Sequence, residues 1–301
     1  ELDSILNVFK KKSIIESDIS LSVSRLSRII EIQKILIDQI RVLETMTAMD
    51  FLEFRDDLFP SSGFQSSQFR ILENKLGLLK NNRIKYGKGD YKNAISEDQK
   101  KIVEKSEHEN SLFDLLEIWL ERTPFLTFEG FNFWDQYTLA VRAMLKKEKI
   151  VIKNNSNHNH KEIQYHLQEH KRAVTSFEAM IDSEKHNQLI KDGKKRLSHK
   201  ATQAALLIFL YRDEPILHSP FNLLSRLIDM DELFTSWRHR HALMVRRMIG
   251  AKIGTGGSSG HAYLQATANR HKVFSELADL STFFIPRSAL PQLPENIKNN
   301  L

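Results

Sequence analysis

The chain has 301 residues, 41% hydrophobic and 27% charged, and 44 basic against 38 acidic residues give a formal charge of +6. This composition excludes a disordered chain; the basic residues alternate with acidic ones as mixed-sign helix surface and do not point to nucleic acid. The absence of cysteine removes disulfides, thiolate ligands, iron–sulfur clusters and thiol nucleophiles together, leaving histidine, carboxylate or other oxygen to hold any metal.

The longest apolar run, Ala204 to Tyr211, is far shorter than the roughly 20 residues that span a bilayer. No charged-then-apolar targeting segment is read at the start, so the cytoplasm is the expected location. The opening residues Glu1 to Leu6 read as the middle of a helix, which suggests sequence upstream.

Apolar residues recur at helical spacing along nearly the whole chain and period-two alternation is almost absent, so the expected fold class is all-α. The first long helix is expected over 21–43, with Leu26, Ile29, Ile30, Leu36, Ile40 and Leu43 along one side. A second is expected near Asp50, where Asp50 and Glu53 stand at capping-box spacing, and is broken by Pro60-Ser61-Ser62-Gly63. A third is expected over 65–79. Ser111 and Asp114 repeat the capping-box spacing ahead of the stripe Leu112, Leu115, Leu116, Trp119 and Leu120, which stops before Pro124.

The stretch 146–161, rich in Lys, Asn and His, is expected to be an exposed polar connection, and His158 and His160 within it to be solvated surface rather than a metal tract. Further helices are expected over 162–189, 198–211, 221–230, 231–249 and 262–280, followed by an extended tail over 286–301. The whole of 1–301 is read as a single domain without internal repeats.

Three constellations could carry chemistry. Between Asp231 and Gly250 the apolar stripe Phe234, Trp237, Met244, Val245 and Met248 includes His241, four residues after Trp237. A neutral imidazole among large apolar side chains suits the axial ligand of a flat iron-bearing ring; a core histidine satisfied by a hydrogen bond is the other reading. His239 points elsewhere on the helix. Next comes Gly254-Thr255-Gly256-Gly257-Ser258-Ser259-Gly260, which can adopt positive φ and offer N–H and hydroxyl groups to a ligand, or serve as a plain linker. Phe51 and Arg55 lie one helical turn apart. Together they could hold an apolar body with a carboxylate, though Arg55 could equally pair with Glu53, Asp56 or Asp57 on the surface.

Several longer segments resemble the tryptophan 2,3-dioxygenase family. They are Met46-Thr47, Asp50-Phe51, Phe54-Arg55, Ser62-Gly63-Phe64-Gln65-Ser66, Gln68-Phe69-Arg70 and Glu73-Asn74-Lys75, and then Trp119 to Pro124, Gly130 to Trp134, Tyr211 to Pro215 and Trp237-Arg238 through Gly260. The resemblance implies a haem-containing helical bundle of the tryptophan/indoleamine dioxygenase type. It implies haem b as cofactor, L-tryptophan and O₂ as substrates, N-formyl-L-kynurenine as product, and a homotetramer built as a dimer of dimers. It also implies His241, fourteen residues before Thr255, as the iron ligand, with Trp237 beside the haem. Arg55 then matches the arginine for the substrate carboxylate, Phe51 an aromatic wall of the pocket, Ser62 a serine near the substrate amine, and Thr255 the loop threonine that contacts ammonium and carboxylate.

The family's upstream helix, with His-Gln followed by Tyr-Glu-Leu-Trp-Phe, has no match in this chain. No catalytic residue is therefore assigned, the distal histidine included. Two other readings follow: a haem-binding scaffold of the same fold without turnover, and a basic α-helical interaction module.

Overall fold

The computed structural model describes residues 1–59, 61–84, 91–123, 126–128, 130–157, 159–255 and 260–294. In chain order its helices are α1 (Leu2–Phe9), α2 (Glu16–Leu43), α3 (Ala48–Phe54), α4 (Ser67–Leu76), α5 (Glu97–Glu107) and α6 (Leu112–Glu121). After a short ribbon, β1 (Thr127–Phe128) and β2 (Phe131–Asn132), come α7 (Phe133–Lys153), α8 (His160–Ile181), α9 (Ser183–Lys191) and α10 (His199–Leu210). The last are α11 (Pro215–Ile249), α12 (His261–Arg270) and α13 (Ser275–Asp279). Among the described residues the two-residue antiparallel pair β1–β2, with Thr127 opposite Asn132, is the only sheet, and the fold is all-α.

Local chemistry sets the helix ends. Ser111 and Asp114 form the expected reciprocal box: Asp114 accepts from the Ser111 N–H at 2.9 Å while the Asp114 N–H donates to the Ser111 hydroxyl at 3.3 Å. The helix expected near Asp50 starts earlier. Thr47 is its cap and Asp50 the third residue of the box, with the Asp50 N–H on the Thr47 hydroxyl at 3.1 Å and the Thr47 N–H on the Asp50 carboxylate at 3.1 Å. The capping spacing that matters is thus Thr47/Asp50 rather than Asp50/Glu53. Pro60, Pro124, His158, Gly256–Ser259 and the end of the tail lie outside the described residues.

At three places the expected helices are divided or joined differently. The helix expected over 162–189 is two helices, because Asp182 turns its carboxylate onto the Glu184 and Lys185 N–H groups and caps α9. The two helices expected over 221–230 and 231–249 are one. Asp231 does not cap the second but accepts from the Val273 and Phe274 N–H groups at 3.0–3.1 Å. The helix expected over 262–280 breaks at His271, whose side chain is buried. In the polar stretch, α7 runs on to Lys153 and α8 begins at His160; among the described residues no group of three or more His, Asp or Glu side chains could hold a metal.

The chain forms two compact units, 1–116 with 222–275, and 117–221 with 276–301. In the first, Ile5, Leu26, Leu112, Leu116, Leu223 and Leu224 are wholly buried, and the buried Gln33 amide donates to the Met230 carbonyl at 3.0 Å, tying α2 to α11. In the second, Leu120, Phe133, Tyr137, Val141 and Leu197 are wholly buried around the apolar α10. The Tyr137 hydroxyl there donates to the Phe283 carbonyl at 2.7 Å.

Candidate haem and substrate site

The first unit encloses a cavity of about 390 Å³, within the size range of cofactor and ligand pockets. α11 supplies Trp237, Arg238, His241 and Val245 to its wall, α4 supplies Phe69, Arg70 and Glu73, and α12 supplies Tyr263, Leu264 and Thr267. Successive residues on a helix are about 100° apart, so Trp237, His241 and Val245, spaced by four, share one face. The Trp237 and His241 rings lie 5.5 Å apart at 32°, and the Phe69 ring stands 5.9 Å from that of Trp237.

Two histidines line this cavity, and their surroundings distinguish them. His271 uses both ring nitrogens. Nε2 accepts from the Ile84 N–H at 3.2 Å, so Nδ1 carries the proton and donates to Glu73 at 3.2 Å. His241 has no hydrogen bond from either ring nitrogen to a described residue, and burial holds its pKa below the ordinary histidine value, so it is neutral. A neutral, unengaged imidazole facing an apolar cavity is what a metal in a flat ring requires. His239, by contrast, lies off this wall, with Nδ1 on the Gln265 amide at 3.1 Å.

The cavity's other end is charged. Glu73 Oε2 accepts from Arg70 at 3.0 Å and from Arg83; Oε1 accepts from Arg238 at 3.1 Å and from His271. All five side chains are under a tenth exposed. Burial alone would raise the Glu73 carboxyl, but the His271 hydrogen bond and the charges of Arg83 and Arg70 outweigh it and hold the group far below the carboxylate range. For Arg238, burial pulls the pKa down against the opposing charge of Glu73. Its guanidinium also donates to the His271 carbonyl at 2.8 Å.

This cluster carried no role in the sequence reading. Its bonded partners are up to 198 positions apart, and the only local trace is Arg70 with Glu73 on one helix face.

Of the residues singled out from sequence, Trp237, His241, Ser62 and Thr255 line the one cavity. Arg55 and Phe51 do not. Arg55 follows α3 on a short 3-10 turn and donates to the Ile253 carbonyl at 2.6 Å, two residues before Thr255. Its contact with Asp56 is a loose 3.9 Å to a carboxylate that is almost wholly exposed, so the surface pairing is the weaker one. The Thr255 hydroxyl donates to the Ser61 carbonyl at 2.9 Å, and Phe51 packs edge-on against Phe54 at 5.4 Å.

Of the glycine loop, Gly254, Thr255 and Gly260 are described. Gly260 has φ +55°, and a Cβ there would stand 3.3 Å from the Lys252 carbonyl, so this position requires glycine.

A family model described as tryptophan 2,3-dioxygenase matches residues 1–284. The chain belongs to the tryptophan 2,3-dioxygenase family. A member from Bdellovibrio bacteriovorus is 47% identical over 301 residues, spanning all of this chain and 84% of the relative. One from Dictyostelium discoideum is 46% identical over 302 residues, covering all of this chain and 76% of the relative. The tryptophan 2,3-dioxygenase of Mus musculus is 42% identical over 295 residues, 97% of this chain and 72% of its own length. Each of these relatives is named for the enzyme, so the comparisons give no support to the reading of a scaffold without turnover. The residues present fit a haem: an apolar cavity wall, a neutral imidazole in it with no hydrogen bond to a described residue, and a cationic end.

Proposed function

We propose that this chain is a haem-dependent tryptophan 2,3-dioxygenase, which opens the indole ring of L-tryptophan with O₂ to give N-formyl-L-kynurenine. The observation that carries this reading is His241, neutral and without a hydrogen bond to any described residue, beside Trp237 in a cavity that Ser62 and Thr255 also face. His241 holds the haem iron, and Trp237 and Val245 on the same helix face cover the ring. When bound, the haem supplies the activation of O₂ that no side chain can provide. The protein's contribution is placement.

Arg55 takes the substrate carboxylate and Thr255 the ammonium and carboxylate end, with Ser62 near the amine; Phe51, one turn before Arg55, packs on Phe54 outside the cavity wall. Both Arg55 and Thr255 are bonded here to neutral backbone carbonyls, Ile253 and Ser61. An ionised carboxylate is the better acceptor for a guanidinium, so substrate displaces Ile253 from Arg55 and resets the loop that carries Thr255.

Two broader features belong to the same reading. The exposed apolar residues Ile32, Ile35, Leu36 and Val42 on α2 support a homotetramer assembled as a dimer of dimers, checked by light scattering on the purified protein. Among the described residues no helix is long and apolar enough to cross a membrane, which supports work in the cytoplasm, checked by fractionation.

The deciding experiment is spectroscopic. Purified protein should show a Soret band that shifts on adding L-tryptophan and should form N-formylkynurenine under air, and His241→Ala should lose the band. A variant that keeps its full Soret intensity refutes the axial assignment, and a colourless wild-type protein that takes up no haem refutes the whole reading.

A further inference from the structure

The charged end of the cavity holds more positive than negative charge. Arg70, Arg83 and Arg238 surround a single carboxylate, Glu73, whose two oxygens already accept four hydrogen bonds. Asp231, which also acts on Arg238, is engaged by the Val273 and Phe274 N–H groups. Among the described residues, counting both carboxylates, three guanidiniums face two negative charges. Uncompensated charge out of water is costly, so the cavity is suited to a ligand that brings negative charge to this end and apolar surface to the His241 end.

The three arginines are not equivalent. Arg83 does not line the cavity and is bonded to Glu73 and, at 2.5 Å, to Asn74. Arg238 lines it but is held on two sides, by Glu73 and by the His271 carbonyl, with its guanidinium over the rings of Phe234 and Phe69 at 5.6 and 5.9 Å. Arg70 lines the cavity one helical turn after Ser66 and beside Tyr263, with which it shares a side-chain hydrogen bond.

We infer that Arg70, set in place by Glu73, pairs with the carboxylate edge of the haem whose iron His241 holds. This rests on the haem reading above and adds an orientation to it: the ring's acidic edge lies toward α4 and its apolar body along α11. It also separates two anions that the site must distinguish. Arg55 serves the substrate carboxylate and Arg70 the cofactor's, so each guanidinium is matched to one ligand.

The test measures haem retention rather than turnover. Holoprotein is mixed with an excess of a haem-scavenging apoglobin and the loss of the Soret band is followed for wild type, Arg70→Gln, Arg70→Lys and Arg55→Gln. Arg70→Gln should lose haem about tenfold faster or more, the size expected from losing a charge-assisted hydrogen bond out of water. Arg70→Lys should fall between it and wild type, and Arg55→Gln should match wild type. In parallel, iron protoporphyrin IX and its dimethyl ester are exchanged into each protein. Wild type should prefer the diacid by about tenfold, and Arg70→Gln should not discriminate.

Equal retention by Arg70→Gln, or a wild type that takes up the ester as well as the diacid, overturns the assignment. The second arm stands on wild type alone and decides the matter even where the variant does not fold. Failure of the haem reading itself looks different: no form of the protein then takes up either porphyrin.

Discussion

Glu73→Gln gives a sharp test of the cavity's architecture, because it changes one oxygen to nitrogen and keeps the volume. In the wild type this carboxylate, 3% exposed, accepts from Arg70, Arg83, Arg238 and His271. The amide would keep one acceptor oxygen, turn two N–H donors toward guanidiniums that also donate, and leave three cations around a neutral group. Removing one side of a buried ion pair costs about 3–5 kcal/mol. The contacts made by one carboxylate are not additive, so that range stands for the cluster as a whole.

For a unit of this size about 2–4 °C accompanies each kcal/mol, which puts the fall in Tm at roughly 6–20 °C. Arg70→Gln should cost less, about 1.5–3 kcal/mol, because Glu73 keeps Arg83 and Arg238. The two units need not unfold together, so the probe must be local. Trp237 is the first unit's sole tryptophan, Trp119 and Trp134 belonging to the second. In a Trp119→Phe, Trp134→Phe background, urea unfolding followed by Trp237 fluorescence therefore reports the first unit. The pH dependence has a definite sign. The folded-state pKa of Glu73 is depressed, so its contribution is complete above the ordinary carboxylate value of 4.5 and disappears as pH falls through the lower folded value. The gap between wild type and Glu73→Gln should be flat from pH 6 to 8 and close only in acid. A loss below about 1 kcal/mol, or a gap that closes near neutrality, would refute the view of Glu73 as the counter-ion of this end of the cavity.

Arg55→Ala should keep its haem and raise the Michaelis constant for L-tryptophan, and tryptamine, which lacks the carboxylate, should be a poor substrate for the wild type and no worse for the variant; steady-state kinetics with both substrates check this. Gly77→Ala should destabilise the first unit by about 2–5 kcal/mol, combining left-handed backbone strain with overpacking, as measured by urea unfolding. The residue has φ +109°, and a Cβ would stand 2.7 Å from the Ser111 hydroxyl and 2.8 Å from Phe113 Cβ. In the second unit, His186 donates to the Leu197 carbonyl and His199 to the Met180 carbonyl, with the rings 5.2 Å apart. Burial depresses both; the charge of Lys195 adds to this at His186, and that of His186 adds to it at His199. Their contribution is present above pH 6.5 and lost as pH falls below it, so Trp134, edge-on to His199 at 5.3 Å, should report unfolding in less urea at pH 5.5 than at pH 7, with a weaker pH dependence in His199→Gln.

Much of the helical framework was legible in the sequence because its causes are local. The Ser111/Asp114 box, the apolar stripe of α6 and the sharing of one face by Trp237 and His241 follow from an N–H left over at a helix start and from 100° per residue. The family's long motifs singled out Ser62 and Thr255, and the structure has both in the lining of the cavity. What spacing could not decide was where a side chain's partner comes from. Asp231 looked like the start of a new helix, yet its carboxylate goes to the N–H groups of Val273 and Phe274, and α11 runs straight through. The sequence reading held His241 as ligand and as satisfied core histidine side by side. In the fold His271 has two partners, drawn from α4 and the Ile84 backbone, while His241 faces the cavity. Glu73 became the hub of the site only when residues 70, 83, 238 and 271 were brought around it. Periodicity records which way a residue faces, but a buried charge is settled by what the rest of the chain sets opposite it, and that is a property of tertiary structure alone.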